Sequence, residues 1–188
     1  MEKASEVILI GGSAGSYTLI IDMIEALPEI FSPAIIIVIH RNPKFSTKIE
    51  DTLSARLKKE ILQAEDKGTI LQGGIYFAAP GYHLLIEPDK TFSLDLSERI
   101  RFSRPSIDVL FETAAEVYLD RCTAFLLSGA NQDGTDGIKQ LQRMGSKVIV
   151  QSPVEALIST MPKHAIEANG HVEIYSNRQI MSYFRNLK

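Results

Sequence analysis

The chain has little cysteine, no long apolar run and no surplus of one charge. Its one cysteine, Cys122, excludes an internal disulfide and a cysteine-cluster zinc site, and it fits a reducing compartment. The longest apolar stretch, Ala34–Ile39, is far too short to span a bilayer. The first apolar run, Val7–Ile10, follows Glu6 and lacks the architecture of a signal peptide. These absences point to a cytoplasmic protein without membrane insertion. Lys and Arg number 20 against 23 Asp and Glu, a net charge of −3, so no basic excess calls for nucleic acid. No H-x-x-x-H or H-E-x-x-H pattern occurs, so the expected metal and cofactor content is none.

What is present is a globular composition over 188 residues, 45% hydrophobic and 23% charged, which suits one domain, 1–188, with a substantial core. Short β-branched runs alternate with helical patterns. Glu6–Gly11, Ala34–His40, Thr123–Gly129 and Lys147–Gln151 read as strands. The continuous run of Ala34–Ile39 marks a strand covered on both faces. Leu19, Ile20, Met23, Ile24 and Leu27 recur at helical spacing. Asn42-Pro43 reads as an N-cap and first helical residue of a helix running to about Lys59. Further helices are expected over about 106–118, 134–144, from Met161-Pro162, and over the last dozen residues, with a short strand at "VEIY". The segment Gly73–Leu96, broken by Pro-Gly and Pro-Asp, reads as an antiparallel hairpin attached to the main sheet. The expected fold is α/β: a doubly wound three-layer α/β/α sandwich, its sheet mostly parallel, with an antiparallel hairpin insert.

In such sheets ligands bind beyond the carboxyl ends of the strands. Three loops fall there. The first, "GGSAGS" (Gly11–Ser16), has three readings. A dinucleotide loop wants G-x-G-x-x-G and an acidic residue at the end of the second strand; the glycine spacing is wrong and the second strand ends in His40. A P-loop fails because no G-K-[ST] follows. A nucleophile turn matches Gly11-x-Ser13-x-Gly15 between strand and helix, with free helix N–H groups aimed where an oxyanion would form. The plain alternative is a tight turn in which Ser13 caps the helix.

A serine nucleophile needs a base and the base needs a carboxylate. His40 ends the second strand, and the loop "SGANQDGTDG" supplies Asp133 and Asp136, either of which could instead cap the following helix. His83, in the Pro80–His83 turn, is a candidate for the cleft lining, whereas His164 and His171 read as surface or packing residues. Arg41, Lys44, Arg104 and Lys163 fall in or near the edge loops and are candidates for contact with an acidic partner, or ordinary solvated charges.

The segments "IGGSAGS", "VIHRNPKFSTKIEDTLSARL", "GGIYFAAPGYHLLI", "RPSIDVLFETAA", "LLSGANQDGTDGI" and "STMPKHAIEANG" resemble, in this order, the catalytic domain of the chemotaxis protein-glutamate methylesterases, the CheB type. The resemblance covers about Val7 to Ser176. It implies hydrolysis of glutamyl γ-methyl esters on chemoreceptors and deamidation of certain receptor glutamines. It implies a triad of Ser13, His40 and Asp133, choosing Asp133 over Asp136, and backbone oxyanion donors at Ala14 and Ala130. It makes Arg41, His83 and Arg104 candidates for substrate contact. The implied partner is the cytoplasmic helical bundle of a methyl-accepting chemoreceptor, with a receptor methyltransferase or a separate receiver protein as further candidates. Many family members have threonine where this chain has Ala14, which removes one side-chain donor, and Met-Gly where it has Ala130-Asn131. The family's common receiver domain is not expected ahead of a first strand that starts near residue 6, so control in cis by a receiver aspartate is not expected either. The alternatives to an esterase are a docking or regulatory module that binds chemoreceptors or a methyltransferase, and a nucleotide-binding α/β domain.

Overall fold

The computed structural model describes residues 2–41 and 49–188. Nine strands and six α-helices are found among the described residues, besides one short 3-10 helix, Leu119–Arg121. In chain order they are β1 (Val7–Gly12), α1 (Tyr17–Ala26), β2 (Ala34–Ile39), α2 (Ile49–Leu57), β3 (Ile61–Gln63), β4 (Ile75–Phe77), β5 (His83–Ile86), β6 (Phe92–Asp95), α3 (Ile107–Tyr118), β7 (Cys122–Leu126), α4 (Thr135–Arg143), β8 (Lys147–Gln151), α5 (Thr160–Asn169), β9 (Glu173–Tyr175) and α6 (Asn177–Arg185). The helix start expected at Asn42-Pro43, and Lys44, lie outside the described residues.

Seven strands form one sheet in the order β3-β4-β2-β1-β7-β8-β9, and every pairing is parallel. The order explains the apolar runs. β1, β2 and β7 lie at the centre, and alternate residues serve opposite faces. Ala34, Ile36 and Val38 join one core with α3, α4 and α5, while Ile35, Ile37 and Ile39 join the other with α1, α2 and α6. Both faces are therefore covered, giving the doubly wound sandwich. Among the described residues, no helix is long and apolar enough to cross a membrane.

The hairpin differs from the expectation. Ile75–Phe77 leaves it and pairs in parallel with β2 and β3 in the main sheet. β5 and β6 pair with each other as a separate antiparallel ribbon, and Phe92 also exchanges backbone hydrogen bonds with Lys67 and Gly68. That ribbon buries Leu84, Ile86 and Phe92 in the α3 core, and the Ile86 N–H donates to Thr113 Oγ1 of α3 at 3.1 Å. Its apolar side is satisfied by a helix, so it needs no place in the sheet.

From β1 the chain proceeds outward through β2, then returns to place β7 on the other side of β1. The crevice where the winding reverses lies at the carboxyl ends of β1 and β7, where open α/β sheets hold their ligands.

Candidate active site

The turn after β1 is tied down by its neighbours. The Ser13 N–H donates to Ser128 O beyond β7 at 2.9 Å, and Ser16 Oγ donates back to Ser13 O at 2.7 Å. Ser128 Oγ donates to Ala14 O at 2.8 Å and accepts from the Ile158 N–H at 2.9 Å. Gly15 sits at φ +84°, and a Cβ there would come within 2.7 Å of Ser128 Oγ. Only glycine lets the turn close this tightly over the β7 loop.

The structure brings Ser13, His40 and Asp133 together. His40 Nδ1 lies 3.1 Å from Ser13 Oγ, and His40 Nε2 lies 2.7 Å from Asp133 Oδ2. The ring thus faces the carboxylate with Nε2 and the serine with Nδ1, the reverse of the chymotrypsin arrangement. An ionised Asp133 can only accept, so Nε2 carries the hydrogen and Nδ1 is left with its lone pair toward the serine.

Asp133 is wholly buried, yet it is fully partnered. Its Oδ2 also accepts from the Ile107 N–H at 2.7 Å, and its Oδ1 from Ser106 Oγ at 2.7 Å and the Asp108 N–H at 3.0 Å. Ile107 and Asp108 open α3, so these are the amides that a helix leaves without internal partners. Ser106 stands at the N-cap but does not cap its own helix with its side chain; its hydroxyl goes to Asp133. Burial alone would raise this carboxyl. The hydrogen bonds from His40 and from Ile107, Asp108 and Ser106 prevail and hold it below the ordinary carboxylate range.

Asp108 lies directly behind it. Its Oδ1 accepts from the Gly137 N–H of α4 at 2.8 Å, and its Oδ2 is 3.3 Å from Arg101 Nε. Burial pushes the Asp108 carboxyl up to about 7; the Gly137 amide and Arg101 oppose that rise, and the neighbouring Asp133 adds to it. Arg101 also donates to Asp136 and, at 3.1 Å, to Gln132 Oε1. Asp136 is thus an exposed partner of Arg101 and makes no contact with His40.

The Ala14 and Ala130 N–H groups meet no acceptor among the described residues, and both residues are exposed beside the serine turn and the β7 loop. The substrate-contact candidates are placed otherwise. Arg41 turns inward, donating to Glu50 Oε1 and Ala78 O, both at 2.8 Å, with its guanidinium 5.7 Å from the Phe77 ring centre. Arg104 donates to the carbonyls of Leu96 and Ser97 at 2.7 and 2.8 Å. His83 is wholly buried: Nδ1 accepts from the Ser106 N–H at 3.2 Å and Nε2 donates to Glu98 O at 3.0 Å. The partnered polar groups of these three reach nearby backbone carbonyls, an amide or a carboxylate, while Arg41 Nη1 and Arg104 Nε are buried without a hydrogen-bond partner among the described residues. Lys163 remains exposed and His171 is exposed, while His164 meets Gln132 at 3.3 Å.

Sequence reasoning missed Ser103, Ser106, Asp108 and Ser128, and marked Asn131 only as a departure from the family's Met-Gly. Asn131 Nδ2 donates to Ser103 Oγ at 3.0 Å, and Ser103 Oγ lies 3.4 Å from His40 Nδ1. Small polar residues in loops carry no periodic signal. Only the position of Ser106 and Asp108 just after Pro105, at a helix start, hinted that something caps there.

Comparison with known proteins follows the same lines. Residues 8–184 match the family model described as CheB methylesterase. A Leptospira interrogans protein, provisionally named protein-glutamate methylesterase/protein-glutamine glutaminase, is 43% identical over 182 residues, 97% of this chain and 94% of that protein. A protein-glutamate methylesterase/protein-glutamine glutaminase of Methanosarcina mazei is 33% identical over 178 residues, 89% of this chain, and the chain spans 48% of its length. The crystal structure of the Thermotoga maritima CheB methylesterase catalytic domain superposes with a TM-score of 0.85 at 28% identity, covering 94% of this chain and 97% of that one.

Proposed function

The chain belongs to the CheB methylesterase family, and from that premise we propose that Ser13, His40 and Asp133 carry out its hydrolysis of protein glutamyl methyl esters. Enzymes of this type act on chemoreceptors in chemotaxis, and the substrate in this reading is the cytoplasmic helical bundle of such a receptor, met in the cytoplasm. The catalytic unit is residues 1–188 taken as one domain. The observation that carries the reading is the continuous line from Ser13 Oγ through the His40 ring to a buried, four-bonded Asp133.

Ser13 Oγ attacks the ester carbonyl carbon while its proton passes to His40 Nδ1. Asp133 keeps the ring oriented and stabilises the imidazolium through Nε2–H. The oxyanion of the tetrahedral adduct is received by the Ala14 and Ala130 N–H groups, which meet no other acceptor among the described residues, and this supports the role. Nδ1–H then protonates the departing methanol, leaving an acyl-enzyme. Water gives a proton to Nδ1 and its oxygen to the acyl carbon, and Ser13 is released with a free glutamate. A glutamine side chain follows the same course with ammonia as the leaving group. Alanine at 14 leaves the oxyanion to backbone donors on that side.

Exposed apolar side chains flank the serine. A Cβ at Gly15 would lie 2.8 Å from Leu157 Cβ, Leu157 is 79% exposed, and Phe102, adjoining Ser103, is 95% exposed. Such chains suit a macromolecular surface better than a small hydrophilic ester.

The test is methanol release from a methylated chemoreceptor cytoplasmic fragment by the native protein and by Ser13→Ala. Release lost in the variant is the expected result. Release that persists removes Ser13 from its role. Binding to the fragment with no release from the native protein would favour the docking module.

A further inference from the structure

We infer that Ser103 is a positioning residue for His40, holding the imidazole at the stage of the reaction when Ser13 no longer can; this rests on the esterase reading above. With Nε2–H committed to Asp133, Nδ1 has one lone pair. In the resting site two hydroxyls face it, Ser13 Oγ at 3.1 Å and Ser103 Oγ at 3.4 Å. The nearer one is the donor at rest.

Once Ser13 Oγ has become an ester oxygen it carries no hydrogen. Nδ1 then loses its donor at the moment when the ring must stay aligned for an incoming water. The Ser103 hydroxyl is already in place to donate until the water takes over the lone pair. When the water's proton arrives on Nδ1, the same oxygen can accept it as a hydrogen-bond partner, because a hydroxyl serves in both directions. The step adds no reactant: the proton still returns from Nδ1 to Ser13 Oγ when the acyl bond breaks.

Ser103 is held from two sides. Asn131 Nδ2 donates to its oxygen at 3.0 Å, while Asn131 Oδ1 accepts from the Asp133 N–H at 3.2 Å. One side chain thus links Ser103 and Asp133, the hydroxyl and the carboxylate on either side of the imidazole. On the other side, Ser103 closes a tight turn with Ile100, with N–H···O distances of 3.1 and 2.8 Å, across Arg101 and Phe102 at φ +48° and +66°. Arg101 fastens that turn to Asp108, Asp136 and Gln132. Ser103 is itself 8% exposed, so its hydroxyl faces the ring and not open solvent.

Two measurements test the assignment. The first needs no turnover. Histidine is labelled with nitrogen-15, and the His40 Nδ1 resonance is compared in Ser13→Ala and in Ser13→Ala with Ser103→Ala. The expected result is a downfield move of Nδ1 in the double variant, as a lone pair loses its donor, and restoration with Ser103→Thr. An unmoved Nδ1 overturns the proposal. The second is the time course of methanol and glutamate from the methylated receptor fragment. With Ser103→Ala, acyl-enzyme is expected to accumulate in the intact-protein mass spectrum, with deacylation slowed roughly tenfold, the worth of one ordinary hydrogen bond, and acylation little changed. Equal slowing of both steps, or none, overturns it. Asn131→Gly is expected to show a weaker form of the same pattern. A native protein that releases no methanol while Nδ1 still answers to Ser103 would sink the esterase reading and leave the Ser103–His40 contact standing.

Discussion

Asp133 and Asp108 exchange helix caps. Asp133, just ahead of α4, accepts the first amides of α3, and Asp108, in the first turn of α3, accepts the Gly137 amide of α4. The carboxylate that orients His40 is therefore also the element that joins two helices. On the proposed mechanism, catalysis and helix packing cannot be perturbed separately here.

Asp133→Asn tests that union. An amide has one acceptor oxygen where the carboxylate has two, and its NH2 would face either the Ile107 amide and the His40 ring or the Ser106 hydroxyl and the Asp108 amide. The expected loss in kcat is about 10⁴, the cost of a misoriented imidazole in a triad. It should come with a lowered unfolding midpoint. Methanol release and a thermal melt on the same preparation check both.

The pair also sets a pH dependence of stability. Asp108 has its folded pKa raised, from 3.8 to about 7, so the unfolded chain releases its proton first as pH rises. Its contribution falls between about pH 4 and 7 and is constant above, by a few kcal/mol at most. Asp133 has its folded pKa depressed, so its contribution is present above the ordinary carboxylate range and lost as pH falls below it. Urea unfolding at pH 5 and pH 8 isolates Asp108. The native protein should lose stability across that interval by more than Asp108→Asn does.

Gly137 allows the two helices to approach. A Cβ there would meet Phe111 Cβ at 2.5 Å and Asp108 O at 3.0 Å. Gly137→Ala should cost about 1–3 kcal/mol in urea unfolding, as overpacking does.

Ser128→Ala should leave Ala14 O and the Ile158 N–H without their shared hydroxyl. We expect roughly 1–3 kcal/mol of lost stability. We also expect a fall in kcat larger than any change in KM, because the turn that loosens carries Ser13. Steady-state kinetics on the methylated fragment separate the two.

Phe102→Ser and Leu157→Ser should act oppositely. Both side chains are exposed. Their loss should raise KM for the receptor fragment several-fold with kcat nearly unchanged.

Much of this was legible in the residues. β1, β2, β7 and β8 are buried on both faces and read as unbroken apolar runs, so their loops, and Ser13, His40 and Asp133 within them, could be set at one edge. β3 was not legible. It is a three-residue edge strand in which only Ile61 is buried, too short for any period. Gly73–Leu96 was read as one hairpin because its strands are close in sequence; that Ile75–Phe77 belongs to the sheet is decided by contacts with β2, forty residues back. The internal hydrogen bonds of Arg41, His83 and Arg104 were not legible for a common reason. Charged and polar side chains in loops default to solvent, and nothing local reveals that a carbonyl or carboxylate waits beneath them. Ser103 was silent because its partner on the ring comes from a different loop.

The three loops of the site come from strands that pair late in sequence terms: 27 residues separate Ser13 from His40, and 93 separate His40 from Asp133. On the proposed mechanism, until β2, β1 and β7 lie side by side the serine has no base and the imidazole no carboxylate. Parallel pairings of this range are among the slower events in folding. A nascent or partly unfolded chain is therefore inert toward neighbouring esters and amides, and recovery of esterase activity during refolding is a direct clock for closure of the central sheet.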